Sequence, residues 1–218
     1  MKKINLICAL AIAALLTITV NAATLVVNHS FNEGQAPPNE WAAAHWNQGV
    51  GTGGDAGVGR IYDDSSDAGT NCYQEFTNVS GDPNIYADLI IHPDSRIDVT
   101  SISTLYWQFS YKLAASGGGG PTGSPRVQLR FFDSGDVFKG EDNVLLSDQG
   151  VVWTRIPMRT FSVPQDADYA DIRVSCDLFE DFVGLCRVDD FYVSESPVPE
   201  PTLLFSGLLL GLAFLRRK

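Results

Sequence analysis

Leu105-Tyr106-Trp107-Gln108-Phe109-Ser110-Tyr111-Lys112-Leu113 alternates apolar and polar residues over nine positions. In an extended chain Leu105, Trp107, Phe109, Tyr111 and Leu113 share one face, and Tyr106, Gln108, Ser110 and Lys112 share the other. A period of two with one apolar and one polar face belongs to antiparallel sheets that are wet on one side. Val127, Leu129 and Phe131 repeat the pattern opposite Arg126, Gln128, Arg130 and Phe132. Ile172, Val174, Cys176 and Leu178 repeat it again opposite Arg173, Ser175 and Asp177. Outward from these segments, residues 23–194 hold no amphipathic helix and no fixed-period repeat. Short alternating runs are instead separated by Gly, Pro, Asn and Asp clusters. Their number and spacing predict an all-β domain of two packed antiparallel sheets, a sandwich. Ser116 to Ser124, with four consecutive glycines, reads as a loop joining two strands.

The chain has 218 residues, 44% hydrophobic and 11% aromatic, which suits one packed domain with address segments at its ends. All 26 acidic residues lie between Glu33 and Glu200, whereas Lys2, Lys3, Arg216, Arg217 and Lys218 sit at the termini. With those five removed, ten basic residues face 26 acidic ones, a formal charge of about −16. Phosphate binding needs clustered cations, so nucleic acid is excluded as a partner.

Met1-Lys2-Lys3, an apolar run from Ile4 to Val20 and the small-residue end Asn21-Ala22 describe a secretory signal peptide over residues 1–22. A retained membrane anchor is the alternative. At the other end, residues 196–218 form a tail of three parts. Ser196-Pro197-Val198-Pro199-Glu200-Pro201 is stiff and extended; an apolar run from Leu203 to Leu215 follows; Arg216-Arg217-Lys218 closes the chain. The thirteen-residue run would span about 20 Å as a helix, short for a bilayer core of about 30 Å. It suits transient parking in the inner membrane with the basic end on the cytoplasmic side. Val198-Pro199-Glu200-Pro201, the Leu/Gly-rich segment and the basic end resemble the PEP-CTERM sorting signal of Gram-negative bacteria. That resemblance implies handling by secretion machinery and an exosortase, cleavage near the motif, and delivery to the cell surface or extracellular matrix. An ordinary C-terminal anchor is the alternative.

The domain between the addresses, residues 23–195, opens with Leu25-Val26-Val27-Asn28-His29-Ser30-Phe31-Asn32-Glu33-Gly34 and closes with Arg187-Val188-Asp189-Asp190-Phe191-Tyr192-Val193. These ends, with Trp153-Thr154 through Phe161-Ser162-Val163-Pro164 to Ala170-Asp171-Ile172-Arg173-Val174, resemble jelly-roll carbohydrate-binding modules and their galactose-binding-like relatives. The resemblance implies a jelly-roll sandwich whose first and last strands lie together and share a structural Ca2+. Here Asn32 follows Phe31 directly and Glu33 is displaced by one. Calcium takes six to eight oxygen ligands, and strand parity with Phe191 and Val193 turns Asp189 inward. The metal candidates are therefore Glu33, Asp189 and Asp190, with Asn32 behind them; a capped turn and a solvated Asp190 are the alternative.

Other motifs fall away. Asp63-Asp64-Ser65-Ser66-Asp67-Ala68-Gly69 lacks the Gly and Glu that a calcium loop needs. Gly49-Val50-Gly51-Thr52-Gly53-Gly54 has neither the buried strand before it nor the helix after it that a dinucleotide site requires. His29, His45 and His92 are scattered, and neither HExxH nor GxSxG occurs, so no enzyme fingerprint is present. Of three cysteines beyond the signal, Cys176 and Cys186 flank a predicted hairpin and are the expected disulfide; Cys72 is the alternative partner of either.

Sugar binding asks for an aromatic platform beside planar polar side chains. Tyr106, Gln108, Arg126, Gln128, Arg130, Arg173 and Asp177 would supply one such surface if their strands are neighbours. Trp41, Trp46 and Tyr62 would supply another; core packing of those aromatics is the alternative. The sequence thus predicts an exported, non-catalytic glycan- or exopolysaccharide-binding protein. The competing expectations are a structural or adhesive biofilm-matrix protein without sugar affinity, and a polysaccharide hydrolase with a dispersed site.

Overall fold

The alternating runs become strands wherever apolar and polar residues take turns. In chain order they are β1 (Trp46–Val50), β2 (Ala56–Ile61), β3 (Cys72–Thr77), β4 (Ala87–Ile91), β5 (Ile97–Asp98) and β6 (Thr104–Ala114). β7 (Arg126–Phe132), β8 (Phe138–Leu145), β9 (Thr154–Arg155), β10 (Arg159–Ser162), β11 (Tyr169–Cys176) and β12 (Gly184–Ser194) follow. The structure is a computed structural model that describes residues 24–34, 42–50, 56–61, 72–77, 87–114, 124–147, 151–176 and 184–197. The expected signal peptide 1–22, the Val198 to Pro201 segment, the apolar run 203–215, the basic end 216–218, and Trp41, Tyr62 and Asp177 lie outside the described residues. Among those described, no helix is long and apolar enough to cross a membrane.

Two sheets form, with every strand pairing antiparallel. Sheet one runs β1-β4-β11-β7-β8 with β5 beside β11; sheet two runs β10-β6-β12-β3-β2 with β9 beside β6. This is the expected jelly-roll sandwich, and Thr24–Glu195 make one compact unit. Leu105, Trp107, Phe109, Tyr111 and Leu113 point into the core from sheet two; Val127, Leu129, Phe131, Ile172, Val174 and Cys176 meet them from sheet one. The alternation read from the sequence is the alternation of burial.

An aromatic cluster closes the end of the core where the chain enters. Phe31 lies 5.1 Å from Trp46 and 5.4 Å from Tyr73 between ring centroids, and Phe191 lies 5.3 Å from Phe109. Trp46 is thus a core side chain, not part of an exposed sugar platform: it is almost fully buried, and its indole N–H donates to the Asn28 carbonyl at 3.3 Å. Its size and apolar rings are what the sandwich end needs, and that demand outweighs exposure.

The opening segment lies along the last strand. The Leu25 amide donates to the Val193 carbonyl at 2.7 Å, and the Phe191 amide to His29 at 3.1 Å. Asn28 sits at φ 51°, a left-handed conformation that Asn tolerates better than most residues. Its side-chain amide donates to the carbonyls of Glu33 (2.8 Å) and Ala44 (2.9 Å), and its oxygen accepts from the Glu33 amide (3.0 Å). Three such bonds fasten the entry turn that carries Phe31. Asn28→Ala is expected to lower unfolding free energy by about 2–3 kcal/mol in urea titration. A loss below about 1 kcal/mol would mean that the turn holds without this side chain.

Two expectations about β12 change. Val188 and Cys186 point inward, and so do Phe191 and Val193, which strict alternation forbids. The register shifts between Asp189 and Tyr192, where Asp190 takes φ 51°: a bulge inserts one residue. Asp189 therefore pairs with Ser110, on the strand face of Lys112 and Arg187 rather than that of Phe191. The predicted disulfide is also absent. Cys176 and Cys186 are buried thiols, and β11 and β12 are not a hairpin but strands of opposite sheets. The two strands therefore offer no shared hairpin for the expected cross-strand bridge. The side chain of Cys72 lies outside the described residues.

Candidate functional site: the outer face of sheet one

Residues opposite one another in antiparallel strands project from the same face. Across β11, β7 and β8 this gives three rows on the outer face: Tyr169–Phe132–Phe138, Asp171–Arg130–Glu141 and Arg173–Gln128–Asn143. A fourth row holds Ser175, Arg126 and Leu145, with Asp88 of β4 beyond Ser175. Arg126, Gln128, Arg130 and Arg173 are thereby brought together as expected. Tyr106 and Gln108 are not with them. They lie in β6 of sheet two, opposite Ser194 and Tyr192, and face away from the other side of the sandwich. β6 and β7 follow one another in sequence but cross between sheets, so their wet faces point in opposite directions.

The first row is an aromatic ladder. Tyr169 stacks on Phe132 with centroids 5.4 Å apart and planes at 17°, and Phe138 meets Phe132 edge-on at 5.8 Å. Phe138 reaches this position through a second bulge. Phe131 pairs with Gly140 but Phe132 pairs with Phe138, so Lys139 is skipped, and Gly140 takes φ 154°, a conformation that penalises any side chain. Phe138 is left 52% exposed at the sheet edge. The Arg96 guanidinium carbon lies 4.1 Å from the Tyr169 centroid, and that of Arg130 lies 5.4 Å from Phe132. Each cation sits within reach of an aromatic ring.

The hairpin turn between β7 and β8 secures the ladder. Asp133 Oδ1 accepts from the amides of Gly135 and Val137, both at 2.9 Å, and Lys139 Nζ lies 2.8 Å from Asp133 Oδ2. The Tyr169 hydroxyl donates to Asp136, which Arg96 also holds at 2.9 Å. Burial, then the Asp136 hydrogen bond, pushes the Tyr169 phenol up to about 12, so it stays a donor throughout the physiological range. Tyr169 and Arg96 in turn hold the Asp136 carboxyl below the usual carboxylate range.

Below the ladder the polar rows are pre-set. Arg130 grips Asp171 with two bonds of 2.8 Å, Arg173 lies 2.6 Å from Asp88, and Gln128 donates to Glu141 at 2.7 Å. Bidentate pairing fixes the guanidinium plane, so its remaining N–H groups point in set directions. Gln128 and Asp88 are only 5% and 8% exposed, and Gln128 Oε1 and Asp88 Oδ1 lack a hydrogen-bond partner among the described residues.

Sequence reasoning missed Tyr169, Phe138, Asp171, Glu141 and Arg96. For Asp171 and Tyr169 the signal was present, since both share parity with Arg173. For Phe138 it was not, because only the bulge turns it to this face.

The metal candidates divide. Glu33 is largely exposed, its carboxylate 3.9 Å from His45. Asn32 is exposed too. Asp189 is fully buried and accepts from the Asp190 amide at 2.8 Å, while Asp190 accepts from the Ser30 hydroxyl at 3.2 Å. Among the described residues no group of three or more His, Cys, Asp or Glu side chains is placed to hold a metal.

No family model and no curated protein matches this chain. Among solved structures it is similar to the enzymatically active domain of bacteriophage CBA120 tailspike protein 4, with TM-score 0.57 and 13% identity over 78% of this chain and 21% of that one. It is also similar to a cyclase from Fischerella sp. TAU, with TM-score 0.52 and 16% identity over 80% of this chain and 97% of that one. Carbohydrate-binding modules are further neighbours; Family 16 Carbohydrate Binding Module-2 gives TM-score 0.49 and 12% identity over 78% of this chain and 98% of that one. The chain thus spans about a fifth of the tailspike domain and nearly all of the other two. At such identities the likeness concerns the sandwich alone, since one fold carries many activities.

Proposed function

We propose that this is an exported, non-catalytic glycan-binding protein that holds polysaccharide on the outer face of sheet one. One observation carries the reading. An aromatic ladder of Tyr169, Phe132 and Phe138 adjoins rows of immobilised arginine, carboxylate and amide groups on one sheet face. Sugar rings offer apolar C–H faces to aromatics and hydroxyls to planar polar groups, and this face offers both. The acids are tied to cations or amides, and Asp136 is held below its ordinary range. A glycosidase acid needs the opposite shift. The terminal signals, read with the PEP-CTERM resemblance, make the protein an exosortase substrate bound for the cell surface or matrix.

The test is a binding screen of the purified full chain by affinity electrophoresis against soluble polysaccharides. Retardation by at least one is expected, without release of reducing ends. Clean silence across the panel would favour a structural matrix protein, and release of reducing ends a hydrolase.

Calcium belongs to this proposal as a structural ion. The candidate donors are the Asp189 and Asp190 carboxylates, since Glu33 lies 3.9 Å from His45 and is largely exposed. An ion bound only by the folded state raises the melting temperature by mass action. The melting temperature is expected to rise by several degrees in millimolar calcium over chelator; coincident curves would remove calcium from the reading.

A further inference from the structure

We infer that the polysaccharide taken by this face is uncharged, an inference that rests on the glycan-binding reading above. A site for uronate, sulfate or phosphate groups presents cations with unspent charge. Here four of the cations on and beside this face are matched by carboxylates. Arg130 is held by Asp171 at 2.8 Å, Arg173 by Asp88 at 2.6 Å, Arg96 by Asp136 at 2.9 Å and Lys139 by Asp133 at 2.8 Å. An arriving anion must compete with a carboxylate already in place. It must also approach a domain whose formal charge is about −15, which repels polyanions at long range.

The Arg–Asp pairs act as neutral, rigid units whose outer N–H groups suit sugar oxygens.

The experiment compares the purified full chain on neutral xylan, mixed-linkage β-glucan, galactomannan and dextran with alginate, polygalacturonate and chondroitin sulfate, at 20 and 500 mM sodium chloride. Binding to a neutral polymer that changes less than twofold between the two salts, with none to the anionic polymers, is expected. Binding to an anionic polymer that falls tenfold or more with salt would overturn the uncharged-ligand inference and leave the glycan reading standing. No binding to any polymer would overturn the glycan reading itself. Asp171→Asn supplies a second arm, because it keeps the shape while releasing the charge of Arg130. In a variant shown by melting to be folded, it should create salt-sensitive binding to polygalacturonate at 20 mM; no gain would refute the neutralising role of Asp171.

Discussion

Asp142→Ala is expected to lower the unfolding free energy by about 3 kcal/mol. For a domain near 170 residues that is a fall in melting temperature of about 6–12 °C. Asp142 projects inward from β8, the edge strand of sheet one, and is 8% exposed. It accepts from the Trp107 indole at 2.8 Å and from Arg159 Nε at 2.8 Å, with a second contact to the Arg159 terminal nitrogen. Trp107 belongs to β6 and Arg159 to β10, so one carboxylate ties sheet one to sheet two at the open edge of the sandwich.

Removing it leaves a fully buried indole N–H without an acceptor, the costly half of losing a hydrogen bond. Arg159 is 41% exposed and can turn to water, which keeps the loss at the lower end for a broken buried pair. Asp142→Asn keeps an acceptor for the indole and should cost about 1 kcal/mol.

Acid titration supplies an independent check. Burial works against the charge of Asp142, but Arg159 and the indole overcome it and hold the carboxyl below its ordinary value. A folded-state value below the unfolded one means that its stabilisation is complete above about pH 4 and is lost as pH falls through the folded value. Asp142→Asn should flatten that acid limb. A wild-type and an Asn variant with parallel acid limbs would show that the pair does not clamp the sheets.

The second large effect concerns binding. Phe138→Ala should weaken polysaccharide affinity about tenfold, close to 1.4 kcal/mol, and Phe132→Ala combined with it about a hundredfold. Phe138 is the cleaner probe because it is half exposed and lies at the sheet edge, so its loss leaves no cavity. Phe132 carries more, since it touches Tyr169, Phe138 and the Arg130 guanidinium at once. Tyr106→Ala, on the opposite surface, should leave affinity unchanged. Affinity electrophoresis of the variants decides the matter. Loss with Tyr106→Ala and none with Phe138→Ala would move the site to sheet two.

Most of this architecture was legible one strand at a time. Alternation in residues 105–113, 127–131 and 172–176 specified which side chains meet in the core, because parity within a strand is a local property of extended backbone. The stripe Arg126, Gln128, Arg130 was legible for the same reason, as all three belong to β7. Joining it to Tyr106 and Gln108 required knowing which strands are neighbours, and adjacency is set by long-range pairing that no local pattern encodes. Trp46, expected with Trp41 and Tyr62 on a loop platform, is buried by Phe31 and Phe191, which reach it from other segments of the chain.

The all-β class, the inward and outward faces of the regular strands and the acidic charge of the domain follow from composition and local alternation. The placement of β11 and β12 in opposite sheets, which denies Cys176 and Cys186 their hairpin, comes from long-range pairing. So do the bulge that turns Asp189 out of phase with Phe191 and the one that brings Phe138 beside Phe132. One cause underlies all three. Side-chain direction repeats every two residues along a strand, so a single inserted residue or a crossing between sheets reverses everything beyond it, and neither leaves a mark in composition or local pattern.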